Sequence, residues 1–168
     1  MKKFYNNGYA MKTQLEIIRK GRQSLIGIVS ELTDEQLNKI PEGYNNNIIW
    51  NLGHLIASQQ GLCYVRSGKP IVVDEGYLKL FKPETKPVGT ISSAAIETIK
   101  QLLLPTIDRM ESDYEQGHFS DFKTFLNRYG VELRNIEDCI NFMVFHEGLH
   151  YGYVLALKRA VVNESNSK

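Results

Sequence analysis

The strongest constraint on the fold is residues 136–162, where Cys139, Met143, His146, His150, Val154 and Leu157 recur at three- and four-residue spacing. Side chains so spaced stack on one side of an α-helix, so the stretch reads as a long helix with one continuous face. Asn135 precedes it as an N-cap, Glu137 and Asp138 complement the positive end of the helix dipole, and Lys158 and Arg159 the negative end. The face is apolar except at His146 and His150, which are half of the chain's four histidines. A helix of this kind is stable only when other elements cover its face.

Three further stretches carry the same period. Residues 9–32 place Met11, Leu15, Ile18, Leu25, Val29 and Leu32 on one stripe, with Arg22 between Ile18 and Leu25. Residues 48–67 follow Asn47 as N-cap and end near Ser67-Gly68-Lys69-Pro70. Residues 91–113 align Ile96, Ile99, Leu103, Ile107 and Met110 behind Thr90 or Ser92, and Pro105 inside them predicts a kink or a break into two pieces. Between the first two, Thr33-Asp34-Glu35-Gln36 is a capping box for a short turn that Pro41 and Gly43 stop. Residues 68–89, rich in proline and glycine, read as a long irregular connection with one helical turn near Tyr77 to Phe81, and as a lid over a site. Phe119, Phe122, Phe125 and Leu126 predict a short apolar element, either a helical turn or a small hairpin around Tyr129-Gly130. With no convincing strand pattern elsewhere, the expected fold is all-α: one domain over residues 1–168, a four-helix bundle with a long connection between the second and third helices.

Composition narrows the functional classes. The net charge is +1 with both signs interspersed, so there is no basic patch for nucleic acid. No apolar stretch is long enough to span a bilayer, and no membrane partner is expected. Met1 to Asn7 has lysines but no apolar run behind them, so it does not read as a secretory signal. Cys63 and Cys139 form no CxxC pair and read as reduced core residues of a cytoplasmic protein, with a disulfide left open. Residues 163–168 read as a frayed tail.

The chemistry-bearing residues are the histidines. His146 and His150 lie one helical turn apart and can aim two imidazoles at one point. His54 stands on the 48–67 helix on a face with Trp50, Ala57 and Gly61, and Gly53, Ala57 and Gly61 form a small-residue column that permits close approach. Three imidazoles with an open fourth position make a catalytic metal arrangement. The alternative is three core histidines satisfied by ordinary hydrogen bonds. His146-Glu147-Gly148-Leu149-His150 also fits the HExxH pattern of zinc peptidases, but no third histidine follows and no sheet edge is expected, so peptidase activity is not. Glu147 projects off the histidine face, as a partly exposed carboxylate or a general base. Trp50 and Tyr153 can wall a substrate pocket or simply pack in the core. Arg22 can bind an anionic substrate there or pair with an acidic neighbour.

Asn47-Ile48-Ile49-Trp50-Asn51-Leu52-Gly53-His54-Leu55 resembles the second-helix motif of the DinB/YfiT-like metal-binding four-helix-bundle superfamily, and His146-Glu147-Gly148-Leu149-His150-Tyr151-Gly152 resembles its last-helix motif, HxxxHxG. The order of segments is similar along nearly the whole chain. The resemblance implies that His54, His146 and His150 share one divalent transition metal, zinc or nickel. It further implies a small-molecule substrate, thiol S-transferase-like chemistry with a low-molecular-weight thiol, and a homodimer. The expected function is therefore a metal-dependent small-molecule enzyme, thiol S-transferase-like or hydrolase-like. The alternative is a non-catalytic metal- or ligand-binding, stress-related bundle protein.

Overall fold

A computed structural model describes residues 11–166. The readings made above for residues 1–10, 167 and 168 lie outside the described residues. The elements in chain order are α1 (Lys12–Ser30), α2 (Asp34–Asn38), α3 (Ile48–Gln59), a π-helical segment (Gln60–Val65), α4 (Glu75–Phe81), α5 (Ser93–Glu115), β1 (Phe125–Leu126), β2 (Glu132–Leu133) and α6 (Ile136–Asn166). The fold is all-α as expected. Among the described residues there are six α-helices, the four long ones and the short α2 and α4 where helical turns were expected, and the two-residue strands pair as an antiparallel hairpin.

The predicted caps hold the starts of these helices. Thr33 and Gln36 bond reciprocally across the first turn of α2. The side chain of Asn47 accepts from the backbone of Trp50, and that of Asn135 from Asp138. Asp74, which was not among the predicted caps, holds the start of α4 by accepting from Tyr77 N. Two boundaries differ from expectation. α6 continues through Asn166, past the tail expected to fray. α5 is one helix through Pro105 rather than two. Proline removes only the bond to the carbonyl of Gln101, and the neighbouring carbonyls gain other donors, Thr106 Oγ1 on Leu102 O at 2.8 Å and Arg22 Nη1 on Leu103 O at 3.0 Å.

α1 packs on α5 and α6, and α3 packs on the same two, so α1 and α3 stand diagonally across the long helices. The buried apolar residues divide into two clusters. One surrounds Leu25, Leu52, Ile56, Leu103 and Val154; the other surrounds Ile18, Cys63, Ile107, Ile140 and Met143. Between them lies a polar layer with one residue from each long helix: Arg22, Gln59, Thr106 and Glu147. Arg22 is fully buried and its donors are all engaged. Nη2 and Nε reach Glu147 Oε1 at 2.6 and 3.1 Å, Nη1 reaches Gln59 Oε1 at 3.2 Å and Thr106 Oγ1 at 3.1 Å, and Nη2 also reaches Leu55 O at 3.2 Å.

This layer corrects two expectations. Arg22 does not line a substrate pocket, because no face of its guanidinium is left for a ligand. Glu147 is 8% exposed and belongs to the core, not to a solvent-facing edge. The buried face of α6 runs through Cys139, Ile140, Met143, Glu147, Val154, Leu157 and Val161, so it takes in Glu147 as well as the predicted positions, and His146 and His150 are half-buried along it.

Candidate metal centre

Every residue of α3 is buried. With the N-cap Asn47, the residues Asn51, His54 and Ser58 form a polar strip at helical spacing, and Asn51 and His54 of that strip meet the histidines of α6. One ligand atom from each of His54, His146 and His150 lies within 4.8 Å of the others. The ring centroids are 4.5 Å apart for His146 and His150, 4.7 Å for His54 and His150, and 5.3 Å for His54 and His146.

Hydrogen bonds fix which nitrogens face inward. His54 Nδ1 lies 2.7 Å from Phe81 O. A carbonyl only accepts, so Nδ1 carries the proton and Nε2 presents its lone pair, to which the Ser58 hydroxyl donates at 3.1 Å. His150 Nδ1 lies 2.8 Å from Asn51 Oδ1. The amide of Asn51 is oriented by its own donation from Nδ2 to Asn47 O at 2.7 Å, so its oxygen accepts from His150 and Nε2 of His150 is again the free base. Trp50 stacks on His54 at 4.7 Å with 11° between the planes and donates from Nε1 to Thr85 Oγ1. It therefore holds the His54 ring rather than an open wall. Tyr153 is half-buried with its ring 5.8 Å from Tyr44.

The connection between α3 and α5 is what supplies Phe81. Its ring lies so close to α3 that a Cβ on Gly53 would sit 2.5 Å from Phe81 Cδ1, which explains glycine at that position of the small-residue column. A cavity of about 550 Å³, lined by Tyr77, Leu80, Phe81, Ile91 and Ile99 among others, lies on this side. It touches none of the three histidines: the Phe81 side chain lines the cavity, while its carbonyl holds His54.

Electrostatics keep the three rings neutral. Burial, then the charges of His150, His54, Arg128 and Arg22, push His146 down to about 2. Burial, His54 and Arg128 push His150 down to about 3. Burial lowers His54 as well, against the opposing bond to Phe81 O. Neutral imidazoles with inward lone pairs form a donor set that fits a divalent transition metal. They also set a pH dependence for the metal-free protein. The folded values lie below the ordinary value of about 6.5, so on acidification the unfolded chain takes up protons first. Stability is fully present above about pH 6.5 and declines as pH falls towards the folded values. Urea midpoints of the metal-free protein should therefore drop between about pH 7.5 and 5, above the carboxylate range. A flat profile over that interval would contradict neutral burial of the histidines.

Two contributors were not found from the sequence. Asn51 was legible only as one polar position in an otherwise apolar helix. Arg128 lies in the turn between β1 and β2, whose approach to α6 has no local signal.

Against known families, a model of the DinB superfamily matches residues 17–154, which include all three histidines. No curated protein matches the chain. Among the described residues no helix is long and apolar enough to cross a membrane.

Proposed function

Since this chain belongs to the DinB superfamily, we propose that His54, His146 and His150 hold one divalent transition-metal ion, zinc or nickel, and that the protein is a metal-dependent enzyme on small molecules, of the thiol S-transferase or hydrolase type. The observation that carries this reading is the convergence of three neutral imidazoles, two of them oriented by Phe81 O and Asn51 Oδ1 so that Nε2 points inward. A divalent ion at such a site supplies Lewis acidity and lowers the pKa of a thiol or water in its remaining coordination position. The chain's own residues keep the ligands in one tautomer and stiffen His54 against Trp50. His146 and His150 are half-buried, so the centre is not sealed from solvent.

We place the protein in the cytoplasm, in keeping with two buried, unbridged cysteines. We also propose a homodimer through the outer face of α6. There Phe145 and Leu149 are 53% and 46% exposed, and a Cβ on Gly148 or Gly152 would meet nothing within 4 Å.

Elemental analysis of tag-free protein, as isolated and after reconstitution with zinc or nickel, should give about one ion per chain, the capacity of a single three-histidine site. Sub-stoichiometric metal after reconstitution would sink the proposal. Turnover of electrophilic small molecules with a panel of cellular thiols separates the enzyme from the alternative, a binding protein without turnover.

A further inference from the structure

The hydroxyl of Ser58 is a hydrogen-bond donor that points into the histidine centre. Ser58 stands one turn after His54 on α3 and is 6% exposed. Its Oγ lies 3.1 Å from His54 Nε2, and because Nδ1 is committed to Phe81 O, the hydroxyl donates to the Nε2 lone pair. Ser58 Oγ makes no other hydrogen bond among the described residues.

The direction of this side chain is a choice between two acceptors. A hydroxyl inside a helix has the carbonyl four residues back within reach. Thr98 and Thr106 use it on α5, donating to Ala94 O at 2.9 Å and to Leu102 O at 2.8 Å. Ser58 leaves the carbonyl of His54 and turns its hydrogen to the ring instead. The side-chain donors of the other residues that hold the rings point away from the centre: Asn51 Nδ2 to Asn47 O, and Trp50 Nε1 to Thr85 Oγ1. The inward side of α3 therefore offers the lone pair of His54 and, beside it, the hydrogen of Ser58.

One lone pair on Nε2 serves either the hydroxyl or an ion. Loading the centre releases the Ser58 hydrogen in a buried place, and a buried donor without an acceptor is costly. The group in the remaining coordination position is the acceptor at hand. A thiol there is held as the thiolate, and a hydrogen bond to a charged acceptor is the stronger kind. Resting on the metal reading above, we propose that Ser58 is a positioning residue of the centre: when the ion is bound, its hydroxyl passes from His54 Nε2 to the anionic sulfur of a small-molecule thiol. The contact orients the sulfur and favours a thiolate over a thioether, whose sulfur is a weak acceptor. In the metal-free protein the same hydroxyl occupies the lone pair and opposes loading.

The test uses the full chain loaded with cobalt(II), with 2-mercaptoethanol as the thiol and sulfur-to-cobalt charge-transfer absorption as the readout. Ser58→Ala should load cobalt as tightly as the wild-type protein, or up to about fivefold more tightly, because a competing hydrogen bond is gone. It should bind 2-mercaptoethanol about tenfold more weakly, the size expected of one hydrogen bond to a charged acceptor. Its charge-transfer band should move to longer wavelength, since the lost hydrogen bond had stabilised the sulfur lone pair. A serine that only packs in α3 would not move that band. Ser58→Thr keeps the hydroxyl and should restore both the affinity and the band. An unchanged thiol affinity with an unmoved band in Ser58→Ala would overturn the role of Ser58 and leave the metal reading intact. A loss of cobalt affinity of more than about tenfold in Ser58→Ala would make the hydroxyl a ligand of the ion, which overturns the role as well. Wild-type protein that holds cobalt but gives no band with the thiol would remove thiol binding and the role of Ser58 together. Failure of the wild-type protein to load cobalt would remove the metal reading itself.

Discussion

Glu147→Ala should destabilise the protein by about 3–5 kcal/mol, the cost of leaving a buried charge without its partner. The magnitude follows from position. Arg22 is 0% exposed and its shortest contact, 2.6 Å, is to Glu147. Without the carboxylate, Gln59, Thr106 and two backbone carbonyls would still accept hydrogen bonds, but no negative charge would remain among the partners of the guanidinium. A loss of that size is a large share of the roughly 5–15 kcal/mol that holds a domain together. It should lower Tm by roughly 10 °C for a chain of this length. The paired variant Arg22→Met with Glu147→Leu should lose far less, since removing both charges also removes their desolvation cost. Urea denaturation of the two single variants and the double variant gives the coupling as a double-mutant cycle. A cost below about 1 kcal/mol for Glu147→Ala would mean that the pair is not buried in solution. The same experiment separates this role from that of a general base. A base would reveal itself in Glu147→Gln as lost turnover at unchanged stability, whereas a member of the polar layer reveals itself in the denaturation midpoint.

The histidines were legible because metal ligation imposes a local rule: two imidazoles aimed at one point from one helix must lie a turn apart, and that spacing is visible in the chain. The polar layer obeys no local rule. Only Arg22 stood out, inside the apolar stripe of α1; Gln59, Thr106 and Glu147 look like surface residues until four helices are placed at one height and rotated against each other. The sequence stripe on α6 ran through Cys139, Met143, His146, His150, Val154 and Leu157, and packing buries four of these but widens the buried face to Ile140, Glu147 and Val161 on one side. The widening takes Glu147 into the core and leaves the two histidines half-buried. Asn51 escaped notice because its role depends on α3 being buried on every side, which periodicity alone does not reveal. The unbroken α5 has a similar cause, since the donors that cover the carbonyls near Pro105 include a side chain from α1.

His146→Ala should weaken metal binding by more than about 100-fold, because loss of an outer-shell partner alone costs about 10–100-fold and His146 is one of three direct ligands in this reading. Asn51→Ala, which removes the acceptor that orients His150, belongs in that intermediate range. The two variants should differ from Glu147→Ala in kind. His146 is half-buried and neutral, held down to about 2 in part by the other two histidines, so its removal relieves a repulsion that acts whenever a neighbour is charged. The metal-free protein should consequently keep its urea midpoint, or gain slightly, and lose part of its acid sensitivity. His54→Ala is a poorer probe, since it would also leave Phe81 O without its donor and Trp50 without its stacking partner. The readout is the shift of the midpoint on adding metal: at a free concentration of about 100 Kd a single site stabilises the folded state by about 2.7 kcal/mol. Wild-type protein should show that shift and His146→Ala none under the same conditions. An undiminished shift in His146→Ala would place the ion elsewhere and leave the three imidazoles as a hydrogen-bonded cluster. A lost shift with an unchanged metal-free midpoint would identify them as ligands whose contribution to the fold comes only through the ion.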